Sequence, residues 1–118
     1  MNIFPNSTMK TLNIAKEFST TPGARYEHEG PYPGKDFRDK YLAPRLKECI
    51  ENHTQLEITL DGTAGLGTSF LEESFGGLIR EDKIQYNDVI RTLKFISNEN
   101  PEYIDEINQY MKEAYEKL

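Results

Sequence analysis

Residues 56–78 constrain the fold of this chain most strongly, because they predict three elements of structure in a fixed order. A short apolar strand is followed by a turn with three glycines and then by an amphipathic helix. Thr68 and Ser69 lie where that helix begins. Backbone N–H groups at a helix N-terminus lack partners, and the helix dipole favours negative charge there. The two hydroxyls therefore either cap the helix or offer a site that phosphorylation can switch.

Strands and helices alternate along the rest of the chain. The predicted order is strand 9–16, loop 19–34, helix 34–52, strand 55–61, helix 69–80, strand 88–97 and a last helix that begins at Pro101. Strands that alternate with helices predict parallel strands joined by crossover helices. The predicted fold class is therefore α/β, with a small, parallel or mixed sheet covered by helices.

Three local features modify this order. Pro44 lies inside the first predicted helix and is expected to kink or split it. A short strand is expected at 25–28, within a loop that is rich in proline and glycine. Asn100 can cap the last helix, and Pro101 suits its first position.

The length of 118 residues predicts one domain that spans the chain, with residues 1–8 as a loose end. Cys49 is the only cysteine, so no intramolecular disulfide can form, and its place on an apolar helix face predicts a buried, inert thiol. The sequence has no long apolar run and no secretory pattern, so neither a membrane span nor export is predicted. We expect a cytoplasmic protein.

The charge of the chain argues against nucleic acid as a partner. The net charge is −6, and residues 99–118 hold six acidic and only two basic side chains. Affinity for phosphate backbones comes from clustered lysine and arginine, which this pattern lacks. The acidic helix face is either a solvated surface or a docking face for a basic protein.

Sequence motifs give little support for catalysis. His28 and His53 lack the spacing of metal ligands, so no metal site and no cofactor are predicted. The segment 65–69 looks slightly like a phosphate loop, but no lysine precedes its hydroxyls. Phe70 stands where a dinucleotide-binding loop would have its third glycine.

Ser69 has two possible roles. Ser69 and Glu72 fit the S-x-x-E capping box, in which the serine oxygen accepts from the backbone N–H of Glu72 and the carboxylate reaches back. A capping serine on an exposed turn is also accessible to a kinase, and phosphorylation would add about two negative charges. The sequence leaves both roles open.

Gly76 and Gly77 also have two interpretations. A glycine in a helix costs about 1 kcal/mol relative to alanine, so two adjacent glycines need a reason. Close packing of the helix or an early helix end would explain them. A partner surface that requires small residues is the alternative.

A longer run of residues resembles the signature of the bacterial STAS-like domain family of unknown function. The run is D-G at 61–62 followed by S-F-L-E-E-S-F-G-G-L at 69–78. Earlier segments resemble the same family, namely F-S at 18–19, P-G-A-R-Y at 22–26, E-G-P at 29–31 and G-K-D-F-R at 34–38. The resemblance covers about residues 12–80.

The resemblance implies the fold of anti-sigma factor antagonists, in which a serine at a helix start is phosphorylated by a partner kinase of the GHKL ATPase class. The turn of that pattern reads D-S-S-G-L, and residues 67–71 take its place here. Ser69 then matches the phosphorylated serine, whereas Gly67 replaces the aspartate and Phe70 replaces the glycine. The implied partner is a GHKL-type ATPase or an anti-sigma-like regulator.

The leading hypothesis is therefore a non-enzymatic regulatory module that binds a protein partner. Contact would involve the turn at 63–69 and the helix after it, and phosphorylation of Ser69 or Thr68 would place charge in the interface. The residues predicted to contact the partner are Gly65, Gly67, Phe70, Glu73, Gly76 and Gly77.

Two other hypotheses remain open. One is an anion-binding or small-molecule-binding protein, or an enzyme, in which the 19–34 loop brings Arg25 and Lys35 to an anion at the glycine-rich turn. The other is an oligomer-forming structural protein, since tyrosine is common at interfaces. The tyrosines considered for such an interface are Tyr26, Tyr32, Tyr41, Tyr103 and Tyr110.

Overall fold

Three parallel strands form one sheet in the computed structural model, which describes residues 9–118. The predicted loose end at 1–8 lies outside the described residues. The strands are β1 (Lys10–Asn13), β2 (Leu56–Thr59) and β3 (Leu93–Ile96), in the order β1-β2-β3. With helices between the strands, this arrangement confirms the predicted α/β class.

The strands bury one face of the sheet and leave the other face accessible. Leu12, Ile58 and Phe95 are in register across the three strands, and the first two are fully buried. Glu57 and Lys94 are neighbours on the opposite face, where neither is buried. This period-two pattern explains how strands of four residues hold their register, since a slip of one residue would expose the apolar set.

A continuous helical segment, α1, spans 34–51 and connects β1 to β2. It is α-helical at Gly34–Phe37, widens into a π-helical turn at Arg38–Leu42 and returns to α-helix at Ala43–Glu51. Pro44 was expected to kink or split the helix, but the segment stays helical, and Pro44 is the second residue of its last α-helical piece. Proline cannot make the i→i−4 bond of an α-helix, and the π-helical turn just before it is where the α-helical ladder is interrupted.

The second helical segment, α2, spans 68–80 and follows the glycine-rich turn. It consists of α-helix at Thr68–Leu71, a π-helical turn at Glu72–Gly76 and α-helix at Gly77–Arg80. The prediction of a helix at 69–80 is confirmed to within one residue. This agreement reflects the strong apolar periodicity of the segment.

The predicted strand at 88–97 is wrong in its first half. Helix α3 occupies Tyr86–Thr92, and β3 follows without a loop. Val89 and Thr92 are buried three positions apart on one side of α3, and Ile90 is 40% exposed. No turn residue separates the apolar residues of α3 from those of β3. The sequence therefore gives no sign of where helical spacing ends and strand alternation begins.

The strand expected at 25–28 is also wrong. The chain forms a 3-10 turn at Glu27–Glu29 instead. The carboxylate of Glu29 accepts hydrogen bonds from the backbone N–H groups of Arg25 at 3.3 Å and Tyr26 at 3.1 Å. These local bonds curl the segment, because they occupy backbone donors that a strand would need.

The last helix, α4, spans Glu102–Glu116 and packs its buried face against α2. Pro101 takes the N-cap position, one residue later than the predicted cap at Asn100. Ile107, Met111 and Ala114 form the buried stripe of α4. The predicted long amphipathic helix is therefore confirmed, with a small shift of its start.

The hydrophobic core lies between the buried face of the sheet and the helices. Its largest fully buried side chains include Phe37 from α1 and Phe70 and Phe75 from α2. Phe37 and Phe70 lie with ring centroids 5.6 Å apart, so the two helical segments share one aromatic contact. Cys49 is 2% exposed, which agrees with the predicted buried thiol.

Candidate functional site

The turn between β2 and α2 is fixed at its first residues by the segment before α4. The carboxylate of Asp61 accepts from the backbone N–H groups of Glu99 at 2.9 Å and Asn98 at 3.1 Å, and from the Asn98 amide at 3.2 Å. These bonds, with that from Glu99 the strongest, lower the pKa of Asp61. In return, Gly62 donates its N–H to the Glu99 carboxylate at 2.8 Å.

The middle of the same turn has two further anchors. Ala64 donates its N–H to the carbonyl of Thr20 at 2.8 Å, and Leu66 donates its N–H to the Tyr103 hydroxyl at 3.1 Å. Gly62 has φ +93°, a conformation that L residues rarely adopt. The 61–67 turn is therefore held by contacts to residues before α1 and to residues in and before α4.

Thr68 and Ser69 lie exposed at the start of α2, directly after this anchored turn. Gly67 occupies the N-cap position, so Ser69 is the second residue of the helix and not its cap. The capping-box prediction is therefore wrong, and Glu72 bonds to arginines instead. Within residues 9–118, neither the Thr68 nor the Ser69 hydroxyl has a hydrogen-bond partner.

Three arginines and two glutamates form a cluster beside α2, which we call the arginine–glutamate cluster. Its members are Arg25, Arg38, Glu72, Glu73 and Arg80. Arg80 binds Glu72 through two nitrogens, at 2.6 Å and 3.2 Å, and Arg25 contacts both carboxylates. Such charge-assisted, two-point bonds fix side-chain geometry more firmly than single neutral ones.

The buried end of the cluster is the ion pair between Arg38 and Glu73, which are 3% and 2% exposed. Arg38 also donates to the backbone carbonyl of Glu73 at 2.6 Å. A Cβ on Gly77 would lie 2.1 Å from the Arg38 guanidinium, and one on Gly34 would lie 2.9 Å from the Phe70 carbonyl. Gly34 and Gly77, which both lie in motifs that resemble the family signature, therefore make room for close packing between α1 and α2.

Burial and charge act in opposite directions on the glutamate that faces solvent. Burial alone would raise the pKa of Glu72, but hydrogen bonds from Arg80 and Arg25 bring its pKa below the ordinary value. The same bonds raise the pKa of each arginine. The exposed part of the cluster is therefore fully ionised near neutral pH.

The structure divides the residues predicted to contact a partner. Gly65 and Gly67 lie on the exposed turn. Four other predicted contact residues are buried inside the domain, which corrects their assignment to a contact surface. They are Phe70, Glu73, Gly76 and Gly77. Phe70 belongs to the core, and the other three shape the arginine–glutamate cluster.

The predicted meeting of Arg25 and Lys35 at the glycine-rich turn is also corrected. Arg25 bonds to the two glutamates of α2, and Lys35 bonds to Asp39 at 2.7 Å on the exposed side of α1. This bond to Asp39 raises the pKa of Lys35. The sequence also gave no sign that Arg25 and Arg80 share the carboxylate of Glu72, because the two arginines are far apart in the chain and only the fold joins them.

Two features are absent from the part of the chain that the structure describes. Within residues 9–118, no three side chains of histidine, cysteine, aspartate or glutamate converge as a metal site would require. None of the helices in these residues has both the length and the hydrophobicity needed to cross a membrane.

The family comparison agrees with the motifs that the structure explains. A family model described as a STAS-like domain of unknown function matches residues 34–103. The chain belongs to this STAS-like family. The matched part of the STAS-like domain contains the Arg38–Glu73 pair and the 61–69 segment, whereas Arg25 and most of α4 lie outside it. No curated protein and no solved structure gives a significant match.

Proposed function

We propose that this STAS-like domain is a non-enzymatic regulatory module that binds a protein partner through the exposed residues of 63–69. This segment, which we call the 63–69 turn, consists of the end of the 61–67 turn and the first two residues of α2. The observation that carries the proposal is the pair of exposed hydroxyls, Thr68 and Ser69, which follow a firmly anchored turn. A surface that is already ordered loses little conformational entropy when it binds. The turn is therefore suited to specific recognition.

Phosphorylation of Ser69, with Thr68 as the second candidate, is the proposed switch. Ser69 lies in the first turn of α2, where the helix dipole tolerates negative charge. The hydroxyl is exposed, so a kinase can reach it without unfolding the domain. A phosphate would then change the charge of the contact surface while the fold persists.

The proposed partner is a GHKL-type ATPase or an anti-sigma-like regulator. This choice rests on the STAS-like family and on the resemblance of the 67–71 turn to that of anti-sigma factor antagonists. Phosphorylated domain would bind more weakly, because the added charge must lose its water in the interface.

A binding titration with a GHKL-type ATPase from the same cells tests the proposal. We expect Ser69→Ala to bind as wild type does and Ser69→Asp to bind at least tenfold more weakly, a loss of about 1.4 kcal/mol. Gln109→Glu, which adds one negative charge on the exposed side of α4, is the matched control and should bind normally. Equal binding by Ser69→Asp and wild type would overturn the switch.

Phosphate transfer gives an independent measurement. The domain is incubated with the ATPase and ATP, and the modified residue is located by mass spectrometry. Ser69→Ala should abolish the modification. If only Thr68→Ala abolished it, Thr68 would be the phosphorylated residue. Absence of both binding and transfer with GHKL-type ATPases would contradict the proposed partner class.

A further inference from the structure

An open groove of about 810 Å³ lies beside the arginine–glutamate cluster, and no residue of 63–69 lines it. Its walls come from the 19–34 loop, from the end of α2 and from the last turns of α4. The side chains that determine its chemistry are Arg25, Tyr26, Arg80, Lys83, Tyr110 and Lys117. Sites for small ligands usually enclose about 300–1,000 Å³, so the groove has a suitable size.

The groove concentrates positive charge on an acidic protein. Four cationic side chains line it together with two carboxylates, Glu72 and Glu113, while Glu73 and Glu81 pair with the arginines without lining the groove. The whole chain has a net charge of −6, so this surface differs from the average surface of the molecule. Lys83 and Lys117 form no ion pair within residues 9–118. Their charges are therefore available to a ligand.

The two arginines of the groove are held in place by glutamates, and Arg25 keeps free donors. Arg25 uses only Nη1 in its bonds to Glu72 and Glu73, so Nε and Nη2 donate to no atom of the described residues. Arg80 is fixed by bonds to Glu72 and Glu73, and its Nε lies 3.8 Å from the Glu81 carboxylate. Guanidinium groups that are already oriented bind oxyanions at a lower entropic cost than free side chains.

We propose that this groove binds a small, multivalent oxyanion, such as a phosphorylated or polycarboxylate metabolite. Arg25 would hold one anionic group through its free Nε and Nη2, with Arg80 adding its charge, and Lys83 and Lys117 would neutralise another. Tyr26 and Tyr110 provide flat walls for the rest of the ligand. Four of the six residues that determine the chemistry of the groove, Arg25, Tyr26, Tyr110 and Lys117, lie outside the family match, so the match does not cover most of the site.

Calorimetric titration of the whole chain with pyrophosphate and with citrate, at low ionic strength, tests the site. Binding of pyrophosphate alone would identify a phosphate ligand, and binding of citrate alone would identify a carboxylate ligand. Affinity should fall with added salt, because the groove is open to solvent. Absence of binding by both anions at millimolar concentration would overturn the proposal.

Charge-reversal variants show where the anion binds. The double variant Lys83→Glu and Lys117→Glu should weaken binding at least about tenfold, because two cations that would contact the ligand become anions that repel it. Lys112→Glu is the control, since Lys112 lies exposed on α4 but does not line the groove. Equal weakening by the control would mean non-specific attraction and would contradict the site. Unchanged circular dichroism of each variant confirms the fold.

The result is independent of the proposed partner contact, because the groove does not include any residue of the 63–69 turn. Anion binding without partner binding would support the groove alone. Partner binding without anion binding would support the turn alone.

Discussion

Arg38 of α1 and Glu73 of α2 form a buried ion pair, and Arg38 also donates to the backbone carbonyl of Glu73 at 2.6 Å. The pair joins the two helical segments that enclose the aromatic core contact. Burying opposite charges is favourable only when both stay paired and hydrogen-bonded. The pair therefore links α1 to α2. Removing one of its partners is expected to cost more stability than the intact pair contributes.

Removing one partner of this pair should destabilise the domain strongly. For Arg38→Ala we expect a loss of about 3–5 kcal/mol in the free energy of unfolding, because the buried Oε2 atom and the backbone carbonyl of Glu73 lose their donor. Urea unfolding measures the loss. Arg91→Ala, which removes an exposed pair with Asp88, is the control and should cost less than about 1 kcal/mol. A similar small cost for both variants would show that the buried pair has no special role.

Gly77→Ala should change stability in the direction opposite to the usual helix preference. Alanine normally stabilises a helix by about 1 kcal/mol relative to glycine. Here its Cβ would lie 2.1 Å from the Arg38 guanidinium, so the buried pair must shift, at a cost of about 1–3 kcal/mol. Thermal unfolding measures the sign.

Gly23→Ala is the matched control for this glycine. A Cβ at Gly23 would meet no atom within 4 Å, so the variant should be neutral or slightly more stable. If Gly77→Ala were as stable as wild type, the guanidinium would have to adopt another position, and the packing explanation of the glycine pair would be wrong.

The acid sensitivity of the domain should depend on the exposed half of the cluster. The pKa of Glu72 is lowered in the folded state, so its contribution to stability is present above its ordinary value of 4.5 and is lost as the pH falls below it. Glu72→Gln should therefore be less stable than wild type at pH 7 and lose less stability on acidification. Urea unfolding at pH 7 and at a pH below 4.5 measures how the stability of each variant changes with pH.

Asp82 provides a contrast of opposite sign. Burial raises the pKa of Asp82, so its contribution to stability is greatest at low pH and is lost as the pH rises through the raised pKa. Asp82→Asn should therefore retain the loss of stability on acidification that Glu72→Gln reduces. The same slope in both variants would contradict the assignment of this loss to Glu72.

The elements that were predicted correctly have local sequence signals. The 68–80 helix and α4 show apolar residues at helical spacing, and the spacing holds because each helix packs one side on the core. Cys49 was predicted to be buried for the same reason. In these segments the spacing of apolar residues in the sequence directly identifies the side of the helix that is buried.

The features that were missed depend on contacts between distant residues or on a change of period. Helix α3 passes directly into β3, so no turn residue separates the two patterns. The predicted capping box is absent because Gly67 is the N-cap of α2, and Glu72 bonds to Arg25 and Arg80 instead. No spacing rule could anticipate this, because Arg25 reaches Glu72 from a loop 47 positions earlier in the chain.

Tyr103 is expected to control the order of the 61–67 turn. Its hydroxyl accepts the only hydrogen bond that the Leu66 N–H makes within the described residues. Tyr103→Phe keeps the ring and removes the acceptor, so we expect a loss of about 1 kcal/mol and faster hydrogen exchange at Leu66. Partner binding through the turn should weaken as well, because the turn would have to become ordered when it binds.

Tyr115→Phe serves as the control for this change, since Tyr115 is half exposed on α4 and stacks on Tyr86 instead of contacting the turn. It should leave both hydrogen exchange at Leu66 and partner binding unchanged. If Tyr103→Phe also left the exchange rate at Leu66 unchanged, other contacts would have to hold the turn. The remaining anchors at Asp61, Gly62 and Ala64 would then be sufficient, and Tyr103 would have no part in presenting Ser69 to a partner.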